Sequence, residues 1–107
     1  VLGMRIKGYY TVPTTTYTAV KDDQLLIDTS GGGVSAAITV TMPTSPAVGD
    51  EVHFVDSGNN LAANNLTITS SDNILGSSSD LTVSTNSSAF TLVYVNATRG
   101  WIYKDKI

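Results

Sequence analysis

The sequence predicts an all-β fold, an antiparallel β-sandwich or jelly-roll-like single domain. Three observations carry this reading. Val, Ile and Thr number 11, 7 and 15 among 107 residues, a β-branched enrichment that suits strands. Apolar residues alternate with Thr and Ser in many short stretches, which places each apolar set on one strand face. Clusters of Gly, Asp, Asn, Ser and Pro separate these stretches at short intervals, as turns do in sandwiches and barrels. No stretch holds a helical apolar period for longer than one turn.

Taken in order, residues 5–10, 17–20 and 24–28 are the first strand candidates. Ile38, Val40 and Met42 then alternate with Thr39 and Thr41, and Val52 and Phe54 with Glu51 and His53. Leu66 and Ile68 alternate with Thr67 and Thr69, and Leu81 and Val83 with Thr82 and Ser84. Their 15-residue echo is too short for a solenoid, which needs at least about three units, and reads as two neighbouring strands. Residues 89–95 and 100–104 break the pattern. Phe90, Leu92 and Tyr94 form one face while Val93 and Val95 sit on the other, and Trp101 and Tyr103 oppose Ile102. A strand apolar on both faces is central to a layered fold or covered by another chain, so Val93, Val95 and Ile102 are candidate interface residues.

Composition removes several functions. Without Cys there are no disulfides or thiolate sites, and one His cannot serve a site that needs two. A net charge of −3 has the wrong sign for a nucleic-acid binder. No run approaches the roughly 20 apolar residues of a membrane-spanning helix, so no membrane insertion is expected. No cofactor or metal is expected either. His53 lies at an outward strand position without a triad signature and reads as a solvated strand histidine. Ser30-Gly31-Gly32-Gly33 lacks the Lys-Ser/Thr of a phosphate loop and reads as a flexible connection. Asp56-Ser57-Gly58-Asn59-Asn60 resembles half of a calcium loop but lacks the terminal Glu, and turn chemistry explains it. Tyr94, Tyr103 and Trp101 read as core, whereas either Tyr9 or Tyr10 should be exposed or in an interface.

The ordered segments resemble a known family. They are Tyr17-Thr18-Ala19-Val20-Lys21-Asp22-Asp23, Leu25-Leu26-Ile27-Asp28-Thr29-Ser30-Gly31-Gly32, Ile38-Thr39-Val40-Thr41-Met42-Pro43, Gly49-Asp50-Glu51-Val52 with Phe54-Val55-Asp56, Asn64-Asn65-Leu66-Thr67-Ile68, and Phe90-Thr91-Leu92-Val93-Tyr94 with Gly100-Trp101. This series resembles a small β domain of virion surface proteins in tailed bacteriophages, of the capsid-decoration and tail-fibre type. The resemblance covers about residues 12–103. It implies a non-enzymatic, homotrimeric structural protein on the virion surface, bound to other virion proteins such as the capsid. A tail-fibre or receptor-binding domain, or a carbohydrate-binding module contacting a host-surface glycan, is the alternative.

Residues 12–107 are expected to form the β domain, and residues 1–11 an N-terminal arm or first strand. Extended spacing puts Arg5 and Lys7 on one side of the arm and Met4 and Ile6 on the other. Such an arm can add a strand to a neighbouring sheet and so attach the subunit.

Overall fold

The computed structural model describes residues 8–106. Among these residues nine strands form, β1 (Tyr9–Thr11), β2 (Thr16–Thr18), β3 (Gln24–Ile27), β4 (Ile38–Thr41), β5 (Glu51–Asp56), β6 (Leu66–Thr69), β7 (Leu81–Val83), β8 (Ala89–Asn96) and β9 (Gly100–Lys106); β4 to β7 fall where the alternation places them, while β1 overlaps only the end of the 5–10 candidate and is exposed throughout. In β3 to β6 every second residue is buried, as a period of two requires. The strands make a five-stranded sheet, β1-β3-β5-β8-β9, and a four-stranded sheet, β2-β4-β6-β7. Both feed one core: Leu25, Ile27, Val52, Phe54, Leu92 and Trp101 from the first, Ile38, Val40, Leu66 and Ile68 from the second. Each such side chain contributes roughly 1.5–3 kcal/mol by leaving water.

The fold is all-β, but the sheets are mixed rather than antiparallel. Strands β1, β3 and β5 run parallel, as do β2, β4 and β6. Only the β5–β8, β8–β9 and β6–β7 pairings are antiparallel. The cause is the path of the chain. Through β6 it crosses to the opposite sheet after every strand, and so returns to each sheet in the same direction. The strand in the other sheet takes the place of the helix that normally joins parallel neighbours. This coiled path differs from the antiparallel winding of a jelly roll. The Leu66 and Leu81 segments are neighbours, as expected, with Leu66 aligned to Val83.

The crossings are packed against one another. The Asp28 carboxylate accepts bonds from the backbone N–H and the hydroxyl of Ser30. Gly33 and Gly58 both press on Asp28, so closely that a Cβ at either position would run into it. Of the three consecutive glycines only Gly33 is needed for space; Gly31 and Gly32 are open to solvent. The segment expected to be merely a flexible connection is therefore wrapped around a carboxylate. The Thr29 carbonyl, in turn, accepts both the Asn60 and Asn64 side-chain amides at 3.1 Å. Asp56, the first residue of the half calcium loop, is buried and accepts backbone N–H groups from Asn60, Leu61 and Ser87. At the far side of the molecule, Trp101 and Asn73 share a backbone bond of 2.9 Å and Leu75 donates to the Trp101 carbonyl at 2.7 Å. This fastens the β6–β7 connection along the start of β9. Gly100, with φ +69°, allows the approach, since a Cβ there would strike the Asn73 carbonyl.

Gly33→Ala is expected to destabilise the domain by about 1–3 kcal/mol, the usual cost of overpacking. Gly31→Ala should stay within about 0.5 kcal/mol of the parent. Urea denaturation of the two variants side by side checks this, and equal midpoints would contradict the packing described around Asp28.

Candidate functional site

The outer face of the five-stranded sheet carries the residues singled out by their two-sided apolar pattern. Register sets Val93 between Glu51 on β5 and Ile102 on β9, and Val95 follows on the same side of β8. Val93, Val95 and Ile102 are each partly exposed. The structure thus brings the three together as one apolar strip beside the β8–β9 edge of the sheet. Leu26 and Val55, aligned across β3 and β5, add a second apolar patch further up the same face.

A polar belt lies between these patches. Lys104 Nζ stands 3.1 Å from Glu51 Oε2, and His53 Nε2 stands 3.4 Å from Glu51 Oε1. The Thr91 hydroxyl meets His53 Nδ1 at 2.8 Å. The reading of His53 as simply solvated is incomplete, because it is half-buried and both ring nitrogens face partners. Hydroxyl, imidazole and carboxylate in this order are the elements of a nucleophilic triad. Here Thr91 is 5% exposed and directly opposite His53 in the β5–β8 ladder. A triad also needs room for a reacting carbonyl and N–H donors aimed at its oxygen. The N–H groups around Thr91 belong to a strand paired on both sides. The array is a cross-strand fastening that sets the orientation of His53. Beside it lies a shallow hollow of about 150 Å³, whose polar lining includes Tyr9, His53, Thr91 and Asp105.

The aromatic residues divide between core and surface. Tyr94 and Trp101 are buried edge to face with centroids 5.6 Å apart, and Tyr103 meets Phe90 in the same way at 5.7 Å. Both Tyr9 and Tyr10 are exposed, at 57% and 44%. Tyr10 packs against Tyr17 of the other sheet. Tyr17 was not among the candidate site residues. Its hydroxyl donates to Asp23 Oδ2 at 2.9 Å, and the Val20 N–H donates to the same oxygen. Burial first, then the bond to Asp23 and its negative charge, then Tyr10, push the Tyr17 phenol up to about 12. Met4, Arg5, Ile6 and Lys7, the candidate attachment arm, lie outside the described residues.

No protein-family model matches the chain, and a search of curated proteins finds no significant match.

The raised Tyr17 value fixes a pH dependence. Folding favours the neutral phenol, so its contribution to stability is complete below the ordinary value of 10.0 and is lost as the pH rises through about 12. An ultraviolet phenolate titration of the native protein should show Tyr17 ionising near the top of that range, with Tyr103, which burial also raises, above the ordinary value. Asp23→Asn should bring Tyr17 down. A native titration in which no phenol lags behind the ordinary range would contradict the Tyr17–Asp23 bond.

Proposed function

We propose that this chain is a non-enzymatic structural subunit on the surface of a bacteriophage particle, a homotrimer bound to the capsid as a decoration or cement-type protein. One observation carries the assembly part of the reading. Val93, Val95 and Ile102 form a single partly exposed apolar strip on a sheet face, bordered by the Glu51–Lys104 pair. Apolar strips rimmed by polar groups are a common form of protein interface. The virion setting rests on the resemblance of residues 12–103 to the phage surface domain. A domain of this size gains from such burial, because small cores leave little margin. A second reading, contact with a host glycan in a tail-fibre setting, is favoured by exposed Tyr9 beside the hollow that holds His53 and Asp105. Tyrosine faces stack on sugar rings, and carboxylates accept bonds from their hydroxyls.

Light scattering at micromolar concentration should give a trimer. Burial of each branched side chain is worth about 1.5–3 kcal/mol per copy. Val95→Asp places an uncompensated charge in the strip and should dissociate the trimer while the monomer still melts cooperatively. A monomeric wild type would end the assembly reading, and a trimer that tolerates Val95→Asp would move the interface off this strip. Electron microscopy of particles should place the subunit on the capsid lattice. Density confined to the tail, with glycan binding lost in Tyr9→Ala, would favour the second reading.

A further inference from the structure

Each strand of the larger sheet contributes one residue to a single row. Tyr9 stands opposite Gln24, Gln24 opposite His53, His53 opposite Thr91, and Thr91 opposite Asp105. Their neighbours Leu25, Phe54 and Phe90 are buried in the core, so the row belongs to the outer face. Laid flat, the backbones of β1 and β9 would stand roughly 19 Å apart. Tyr9 and Asp105 nevertheless line one hollow of about 150 Å³, together with His53 and Thr91. The two ends of the row therefore lean in over its middle.

The floor of this hollow is fixed and its ends are not. Thr91 and His53 meet at 2.8 Å, and Glu51, itself paired with Lys104, faces the other ring nitrogen. A floor set in advance loses little freedom when a ligand arrives. Tyr9 and Asp105 take no part in that fastening, and both are exposed. Val55 and Ala89, paired across β5 and β8, add an apolar border.

Size and charge narrow the ligand. Pockets that enclose a drug-sized molecule run to about 300–1,000 Å³, so this hollow suits a single ring. An acidic ligand would meet the Asp105 carboxylate. A cation is best held by several aromatic faces, and Tyr9 is the one exposed ring in the lining. A neutral sugar has an apolar C–H face and a rim of hydroxyls. The face suits the Tyr9 ring, and the rim suits Asp105, Thr91 and His53.

We infer that this hollow receives one neutral pyranose ring, stacked on Tyr9 with its hydroxyls on Asp105 and the Thr91–His53 floor; this rests on the glycan reading above and gives it a ligand class. The strip of Val93, Val95 and Ile102 runs from this row toward the β8–β9 turn, so a trimer joined there need not cover the hollow.

Amide-resolved NMR of the ¹⁵N-labelled full chain tests the site. The probes are the methyl glycosides of glucose, galactose and mannose, with glucuronic acid and choline as charged counterparts. At least one neutral glycoside should move the amides of Tyr9, His53, Thr91 and Asp105, with a Kd of about 1–10 mM, as a ligand this small allows. Tyr9→Ala and Asp105→Asn should each weaken it at least about fivefold, while Tyr10→Ala should leave it unchanged; the same spectra report that each variant is folded. Neutral glycosides that move no amides, or only amides away from the row, overturn the inference. If glucuronic acid alone binds, and loses binding in Tyr9→Ala, the neutral ring is wrong and the glycan reading stands. If no sugar binds, both fall, and the assembly reading is untouched. Binding of choline alone makes the hollow a cation site and overturns both.

Discussion

A strand that leaves one sheet for the other must carry its backbone around the rim of the core, where the ladder no longer pairs its amides. Backbone N–H groups outside the ladder take other acceptors, and at several of these crossings aspartates supply them. Asp23 takes Val20 N–H at the β2–β3 crossing, and Asp28 takes Ser30 N–H after β3. Asp50 takes Ala47 N–H before β5, and Asp56 gathers three amides after it. The last of those amides belongs to Ser87, in the connection between β7 and β8. One carboxylate thus ties the coil of parallel strands to the antiparallel hairpins that follow it. The chain has eight Asp and one Glu. The short side chain suits the task, since it can reach amides only a few residues away.

All-β character and the strand positions were legible because burial has a period of two, and β3 to β6 show that period without a break. Pairing direction was not legible. An alternating strand with one solvated face is usually antiparallel. Here parallel strands keep a solvated face because the return path runs through the second sheet. The coil leaves no sequence repeat because its turns differ in length. Tyr9 aligns with Gln24, and Gln24 with His53, a step about twice as long. The longer crossings absorb the difference, and no fixed period survives for a sequence to display.

The apolar strip was legible for a similar reason. Val93, Val95 and Ile102 occupy the face where alternation calls for polar residues, and that departure marked them. Thr91, His53 and Tyr17 were not legible as partnered groups. Their contacts join β5 to β8 and β2 to the crossing before β3, and cross-strand partners depend on register. Asp23 and Asp56 read as turn residues, which describes their chemistry, but not their burial at the rim of a core. The three glycines read as one uniform segment. Only the proximity of Asp28 distinguishes Gly33 from its neighbours.

That distinction separates two kinds of length in the molecule. A strand cannot gain or lose a single residue without turning its inward side chains outward. The connection after β3 is anchored at its base by Asp28, Gly33 and the Val34–Asp28 backbone bond, while Gly31 and Gly32 at its tip touch almost nothing. Extra residues at the tip would project into solvent and add only the slowly growing entropy of a longer loop. The fold is in this sense a frame with replaceable corners. A foreign peptide carried between Gly31 and Gly32 would be displayed at the rim with both sheets undisturbed, and the melting temperature of such an insertion would read the independence of tip and frame directly.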